Sequence, residues 1–417
     1  MIMKLFLLCC LFFIGFLTGC KKEDSQDIPV SEEIRLGAIM DLTGDYSQEG
    51  KTGKAAIELA LTSLNQRYAS VALPIRFSCV FIDTHMDTLL TQKAAGDLYN
   101  QGIRLLVGGP GNSTELKSIA PFLNSKKMLA LTCFSSTPSL SIPDDYIFRL
   151  ITDDLVQADA LVRMMVNDSV KAIIPIWRDD TYGNGLIEAV HQKFEQEGGI
   201  LFPGVSYNPA NPAFIAMMEE AATQIDQAVS IYGKSSVAIL LITYQEASEF
   251  LRIASSLPTP GTIKWYGCDA NVQKKTITAD TAAARFAAKV RFLAPIMGIG
   301  TAGRLPVPAE NLTSQIFAVC DLTPDAYALS AYDAVQLYGL AFDLTRSSEP
   351  ENIKTALPLV CGSYDYLGIS RKLNEAGDLA SANYIFWTVL PVLGGYAWNS
   401  YATWMSDGDY ILFPPEQ

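Results

Sequence analysis

Few residues in this chain are of the kinds that make or break bonds. His85 and His191 are the only histidines, and neither stands in a hydrolase or zinc-binding spacing. The chain has no GxSxG elbow, no GxxxxGK[ST] loop and no HExxH helix. What it has instead are short polar loops next to aromatic residues. Gly108-Gly109-Pro110-Gly111-Asn112-Ser113-Thr114-Glu115 pairs glycines, which let backbone approach a ligand closely, with an N-cap and a helix start whose free amides attract an anion. Cys133-Phe134-Ser135-Ser136-Thr137-Pro138 adds hydroxyls beside a ring. Arg178 to Gly185, Thr243-Tyr244-Gln245-Glu246 and Gly267-Cys268-Asp269-Ala270-Asn271 contribute tyrosines, including Tyr182, and one well-placed acid. Such a set grips a small polar molecule. It offers no catalytic residue, and neither a cofactor nor a metal is expected.

One cofactor fingerprint matches by letters. Gly298-Ile299-Gly300-Thr301-Ala302-Gly303 follows a predicted strand, as a dinucleotide loop must. Arg304-Leu305-Pro306-Val307-Pro308 then puts two prolines where the helix that holds pyrophosphate should run, so the stretch reads as a connection.

The candidate loops need elements to hold them, and the apolar patterning supplies these. Residues 34–40, 75–82, 103–109 and 128–134 are short apolar runs separated by amphipathic stretches at 51–68, 88–100 and 114–124. After residues 146–150 the cadence repeats. Strands are predicted at 170–177, 199–207, 237–243 and 262–267, and helices at 154–167, 183–196, 212–232 and 245–256. Runs without polar alternation fit parallel strands covered on both faces, so an α/β fold with two Rossmann-like parallel sheets is expected. Each candidate loop falls at the carboxyl end of a strand, where open α/β sheets bind ligands. Residues 289–294 read as a further strand and 295–308 as a linker or hinge. A helix is expected over 323–344 with Pro324 in its first turn, late strands at 369–373 and 384–390, and irregular structure from Pro391.

The first residues set the compartment. Lys4 precedes an apolar run from Leu5 to Phe16, and Leu17-Thr18-Gly19-Cys20 closes it as a lipobox does; the run is too short to span a bilayer. Residues 1–19 are therefore expected to be a lipoprotein signal peptide, with Cys20 the lipidation site on the membrane of the cell envelope. Residues 20–33, which are polar and charge-rich, are expected to form a flexible tether. About 385 residues remain for packed structure. The net charge of −13 and the lack of a basic run exclude nucleic acid as a partner. Cys79, Cys133, Cys268, Cys320 and Cys361 have no CxxC spacing and apolar or small-residue contexts, and so read as buried small hydrophobes. One disulfide among them remains open.

Taken in order, several segments resemble the type I periplasmic solute-binding proteins, in particular the leucine/isoleucine/valine-binding branch that serves ABC transporters. They are Gly37 to Gly44 with Gly50 and Gly53, Val107-Gly108-Gly109-Pro110, Phe148-Arg149 with Asp154 and Gln157, Tyr182 to Gly185, Phe250-Leu251-Arg252, Ala331 to Val335, and Gly368 with Asn374 to Asp378. The resemblance spans about residues 34–390. It implies two lobes joined by a three-strand hinge, with crossings near Thr152, Pro295 and Trp387. Lobe 1 would comprise 34–152 plus 296–386, and lobe 2 would comprise 153–295 plus 387–417. A ligand would sit in the cleft between them, and the hinge would close on it. By position, Asn112, Phe134 and Ser136 correspond to first-lobe residues that hold an amino acid's charged backbone groups, and Ser113 and Ser135 beside them are further candidate ligand-binding residues. Tyr182, Tyr244 and Asp269 correspond to second-lobe residues, with Asp269 in place of the family's ammonium-binding glutamate. Glu49 stands where the branch often has an aromatic. It either favours a polar or cationic ligand or is simply solvated.

The resemblance implies an extracytoplasmic lipoprotein that binds an amino acid or related metabolite, with a membrane permease of an ABC transporter as a possible partner. A ligand-sensing or scavenging lipoprotein of the same fold without a transporter is the alternative. An envelope enzyme is a weaker one, since no nucleophile–base pair emerges.

Overall fold

In the computed structural model, which describes residues 32–298, 305–368 and 370–414, the chain first winds β1 (Glu32–Met40), α1 (Ser47–Ser70), β2 (Ile75–Asp83), α2 (Thr88–Asn100), β3 (Leu105–Gly108), α3 (Ser113–Lys126), β4 (Leu129–Thr132) and β5 (Ile147–Arg149). The five strands form one sheet in the order β2-β1-β3-β4-β5, every pair parallel. β3, β4 and β5 are buried along their whole length, which is why their sequences do not alternate.

Next come α4 (Asp154–Asn167), β6 (Ala172–Arg178), α5 (Thr181–Gln196), β7 (Ile200–Leu201), β8 (Val205–Tyr207), α6 (Phe214–Tyr232), β9 (Val237–Ile242), α7 (Ala247–Ala254), β10 (Lys264–Gly267), α8 (Lys275–Ala279), α9 (Thr281–Val290) and β11 (Leu293–Met297). Three helices then return to the first sheet: α10 (Val307–Cys320), α11 (Ala326–Thr345) and α12 (Pro350–Ser363). α11 is apolar nearly all round and lies buried against α1 and β3, as a helix without a polar face must. The Tyr338 hydroxyl on it donates to the Leu106 carbonyl at 2.7 Å. Finally β12 (Tyr384–Val392), β13 (Gly395–Met405) and β14 (Tyr410–Leu412) extend the second sheet. Its order is β14-β13-β12-β11-β10-β9-β6-β7, with β8 also on β6. The molecule is thus a two-lobe α/β structure whose first sheet is all parallel and whose second is parallel with an antiparallel β11-β12-β13-β14 margin.

Several sequence expectations need correction. The run 199–207 is not one strand: Pro203 lacks the N–H a ladder needs and Gly204 turns at φ +67°, splitting it into β7 and β8. The residues from Pro391 are not irregular, because Leu393-Gly394, with Gly394 at φ +88°, makes a two-residue hairpin into β13. Lys289 and Val290 end α9, so the strand begins only at Leu293. Pro324 precedes its helix, which Asp325 caps by accepting from the Ala328 amide at 2.9 Å. The part of 295–308 from Val307 is already the first turn of α10. Of residues 369–373, Ile369 is outside the described residues and Leu373 makes a single bridge to Leu379. The boundaries expected at 295/296 and 386/387 fall inside β11 and β12, both of which stay whole in the second sheet. The signal peptide, Cys20 and residues 299–303 of the glycine-rich stretch also lie outside the described residues. All five cysteines from Cys79 to Cys361 are free thiols, and no described helix is long and apolar enough to cross a membrane.

Candidate functional site

The carboxyl ends of the two sheets face each other, and the loops that follow their strands meet there. In the first lobe, β1 ends at Met40 and α1 runs back across it. The approach is so close that a Cβ at Gly50 would stand 1.9 Å from the Asp41 carbonyl, and one at Gly53 would stand 2.7 Å from the Phe134 ring. Gly50 thus lets α1 pass close to the end of β1, and Gly53, one turn on, seats the Phe134 ring against α1. The loop carrying Phe134, Ser135 and Ser136 is fixed from below by Arg149. Its guanidinium donates to the Ser135 and Thr137 carbonyls at 3.2 and 2.8 Å and to both oxygens of Asp378 at 2.5 and 2.6 Å.

In the second lobe Asp269 follows β10 and is 5% exposed. Its Oδ1 accepts from the Tyr182 hydroxyl at 2.5 Å and from the Ala270 amide at 2.8 Å, and its Oδ2 accepts from the Tyr327 hydroxyl. Tyr182 stands on α5 of the second lobe and Tyr327 on α11 of the first, so one carboxylate is held from both sides of the cleft. The rings continue as a wall. Tyr182 stacks on Tyr244 at 5.6 Å, Tyr244 meets Tyr46 at 5.4 Å, and Tyr46 and Tyr327 each present an edge contact to Phe134 at 6.4 Å. Arg178 lies 3.7 Å over the outer face of Tyr244 while paired with Asp180 and Glu246 at 2.6 Å each. Its charge is therefore already matched.

A second acid sits beside Asp269. Asp154, the first residue of α4, is fully buried and its amide donates to the Ser136 carbonyl at 2.9 Å. Gln157 links the two acids, donating to Asp154 Oδ1 at 3.1 Å and accepting from the Asp269 amide at 2.9 Å. Asp154 Oδ2 has no hydrogen-bond partner. Burial, and then the charge of Asp269, push the Asp154 carboxyl well above the ordinary range. A cationic group beside these acids would offset that rise by favouring the ionised carboxylates.

The sequence-predicted residues divide on this map. Phe134, Ser136, Tyr182, Tyr244 and Asp269 converge on the cleft. Asn112 is turned away from a ligand role, since its side chain caps α3 by accepting from the Glu115 amide at 3.0 Å and donates to the Glu115 carboxyl. Ser135 donates to the Pro110 carbonyl at 3.2 Å, and Ser113 Oγ accepts from the Thr137 amide at 3.2 Å. Glu49 is neither solvated nor free. It is 5% exposed and makes an ion pair across the cleft with Lys274, whose ammonium also lies 5.2 Å over the Tyr46 ring. Tyr46, Asp154, Lys274 and Tyr327, which the sequence reading did not name as candidate site residues, lie in the same cleft. A tyrosine one residue inside an otherwise buried helix was the available signal for Tyr327, and the order Gly44-Asp45-Tyr46 just before a helix was the signal for Tyr46. Nothing local marked Lys274.

Comparison with known proteins agrees with this architecture. The chain is 25% identical over 397 residues to an uncharacterised protein of Methanocaldococcus jannaschii, covering 88% of this chain and 91% of that one. Among solved structures it superposes on the branched-chain amino acid transporter substrate-binding protein LivJ of Streptococcus pneumoniae, solved with isoleucine. The TM-score is 0.72 with 15% identity, over 92% of this chain and 100% of the other. It superposes likewise on the leucine-binding protein LivK of Thermotoga maritima, with TM-score 0.70 and 16% identity over 90% and 99%. The model of the receptor family ligand binding region matches residues 52–384, so the chain belongs to that family.

Proposed function

We propose that this protein is an extracytoplasmic lipoprotein, anchored at Cys20, that binds a small amino-acid-like molecule between its lobes without altering it. The observation that carries the reading is Asp269, a buried carboxylate held by tyrosine hydroxyls from both lobes, next to a second acid and within an aromatic wall. A ligand ammonium between Asp269 and Asp154 finds two acceptors of fixed position, and the rings of Phe134, Tyr46 and Tyr244 shield it from water. Charge-assisted hydrogen bonds contribute about 1.5 to 3 kcal/mol each, so two or three of them with aromatic burial reach the roughly −8 kcal/mol of micromolar affinity. The carboxylate end has Ser136 and the backbone amides of its loop within the first lobe. Similarity to leucine- and isoleucine-binding proteins supports an amino acid as the ligand and an ABC permease as the partner.

The test is calorimetry of the purified protein against the twenty amino acids, guided by mass spectrometry of any ligand carried through native purification. Asp269→Asn should weaken the amine ligand at least 100-fold. An amino acid that binds wild type and Asp269→Asn equally well would overturn this reading.

A further inference from the structure

We propose a second small-molecule site, beside the ligand cleft: a cavity of about 180 Å³ between the lobes that takes a small dianion with several oxygen acceptors and, when filled, holds the lobes together. One wall is the start of α1, with Ser47, Gln48 and Lys51. The other belongs to the second lobe, with Gln245 after β9 and Lys274, Lys275 and Thr276 around the start of α8. At about 30 Å³ per water in the liquid, the cavity has the room of about six waters, enough for an ion the size of sulfate. None of Phe134, Ser136, Tyr182, Tyr244 and Asp269 lines it, which separates it from the amine-binding part of the cleft.

Charge and hydrogen-bonding type set the ligand class. The chain carries a net charge of −13, yet the residues that line this cavity include three lysines and no carboxylate. Lys274 is already matched by Glu49. Lys51 and Lys275 are exposed and form no ion pair among the described residues, so each wall brings one unmatched positive charge. The polar groups beside them can all donate: the Ser47 and Thr276 hydroxyls and the Gln48 and Gln245 amides. Both amides already reach across the lobes, Gln48 to the Gln273 carbonyl at 3.5 Å and Gln245 to the Asp45 carbonyl, and each keeps a second N–H for a ligand. α1 is 24 residues long and its N-cap, Tyr46, makes no side-chain cap bond, so the positive end of its dipole also lies at this wall. A cation is repelled here, a monoanion matches one lysine, and a dianion matches both. Unmatched charges of one sign on opposite walls oppose closure. A dianion between them replaces that repulsion with two attractions that exist only while the walls are together, so filling the site favours the closed arrangement and closure tightens the anion.

Sulfate, which stays doubly charged across the neutral range, is the probe. Calorimetry of the full chain, with chloride exchanged for sulfate at constant ionic strength, should show saturable binding in the millimolar range, and small-angle scattering over the same titration should show a smaller radius of gyration. Lys51→Gln and Lys275→Gln each remove one charge without stranding a partner. Each should weaken sulfate about 5-fold, and the two together about 25-fold. Absence of a saturable heat, or a heat undiminished in the double variant, overturns the proposal. Binding that leaves the scattering unchanged overturns its link to closure, as does a compaction by sulfate that persists in the double variant, since that marks exclusion of the salt from the surface. Asp269→Asn should bind sulfate as wild type does, so failure here and failure of the cleft reading are separate outcomes.

Discussion

Two kinds of buried ion pair coexist in this molecule, and they differ in how completely they are satisfied. Inside the first lobe, Arg149 and Arg371 are each fully buried. Arg149 holds Asp378, Ser141 and two carbonyls, while Arg371 holds Asp333, Ser330 and the Leu150 carbonyl, with the Tyr364 hydroxyl completing Asp333 at 2.6 Å. Across the cleft, Glu49 and Lys274 are nearly as buried, yet Glu49 Oε2 has no partner and the lysine's further contact is an aromatic face. A pair saturated on every side resists separation. A pair with spare capacity loses less when water replaces its partner, which suits a contact that must part whenever the lobes open. The same fold therefore uses buried charge as a fixed frame within a lobe and as a separable contact between lobes.

Breaking the frame should have the largest effect. Arg149→Ala deletes five hydrogen bonds, leaves Asp378 buried without its cation and frees the loop that carries Ser136. A loss of about 3 to 5 kcal/mol in denaturant-unfolding stability is expected. An acid pair with no cation at all sharpens the contrast. Glu115 and Asp41 share Thr84 as a donor, and burial, then the charge of Asp41, push Glu115 up to about 8. The folded chain thus holds a proton the unfolded chain has released. Stability from this site is present at low pH, falls as pH rises from the ordinary carboxylate value of 4.5, and is lost through about 8. Glu115→Gln should flatten that window and gain about 2 kcal/mol over wild type at pH 8 in urea titrations. The cleft contact should respond least in global stability. Lys274→Met strands Glu49 only while the lobes touch, so small-angle scattering should report a more open ensemble with unfolding changed by about 1 kcal/mol or less, and Glu49→Gln in addition should restore closure. If Lys274→Met instead costs as much as Arg149→Ala, the distinction between frame and separable contact fails.

Much of the architecture was legible because hydrophobic period is a local property. The helices at 88–100 and 154–167 coincide with α2 and α4 to the residue; β3 and β4 lie within their expected apolar runs, and β1 and β2 overrun theirs by one or two residues, while β5 was not expected as a strand. Errors came where one residue redirects the backbone: Pro203 splitting a strand, and Gly394 turning a Gly/Tyr/Trp-rich tail into a hairpin. The candidate cleft residues were legible by loop position. Phe134, Ser136, Tyr182, Tyr244 and Asp269 were reached because each follows a strand's carboxyl end. Asn112 was assigned to the ligand for the same reason, but the Glu115 amide and carboxyl claim its side chain.

What the sequence determined alone was the alternation of buried strands and amphipathic helices, the cap before the helix that follows Gly111, and the identity of the polar loops, since each depends on neighbours within a few residues. Only the tertiary structure decided which side chains complete one another across hundreds of positions: Tyr327 on Asp269, Lys274 on Glu49, Arg149 on Asp378. Such pairings depend on how two sheets and a returning helix are placed in space, and no local period encodes that placement.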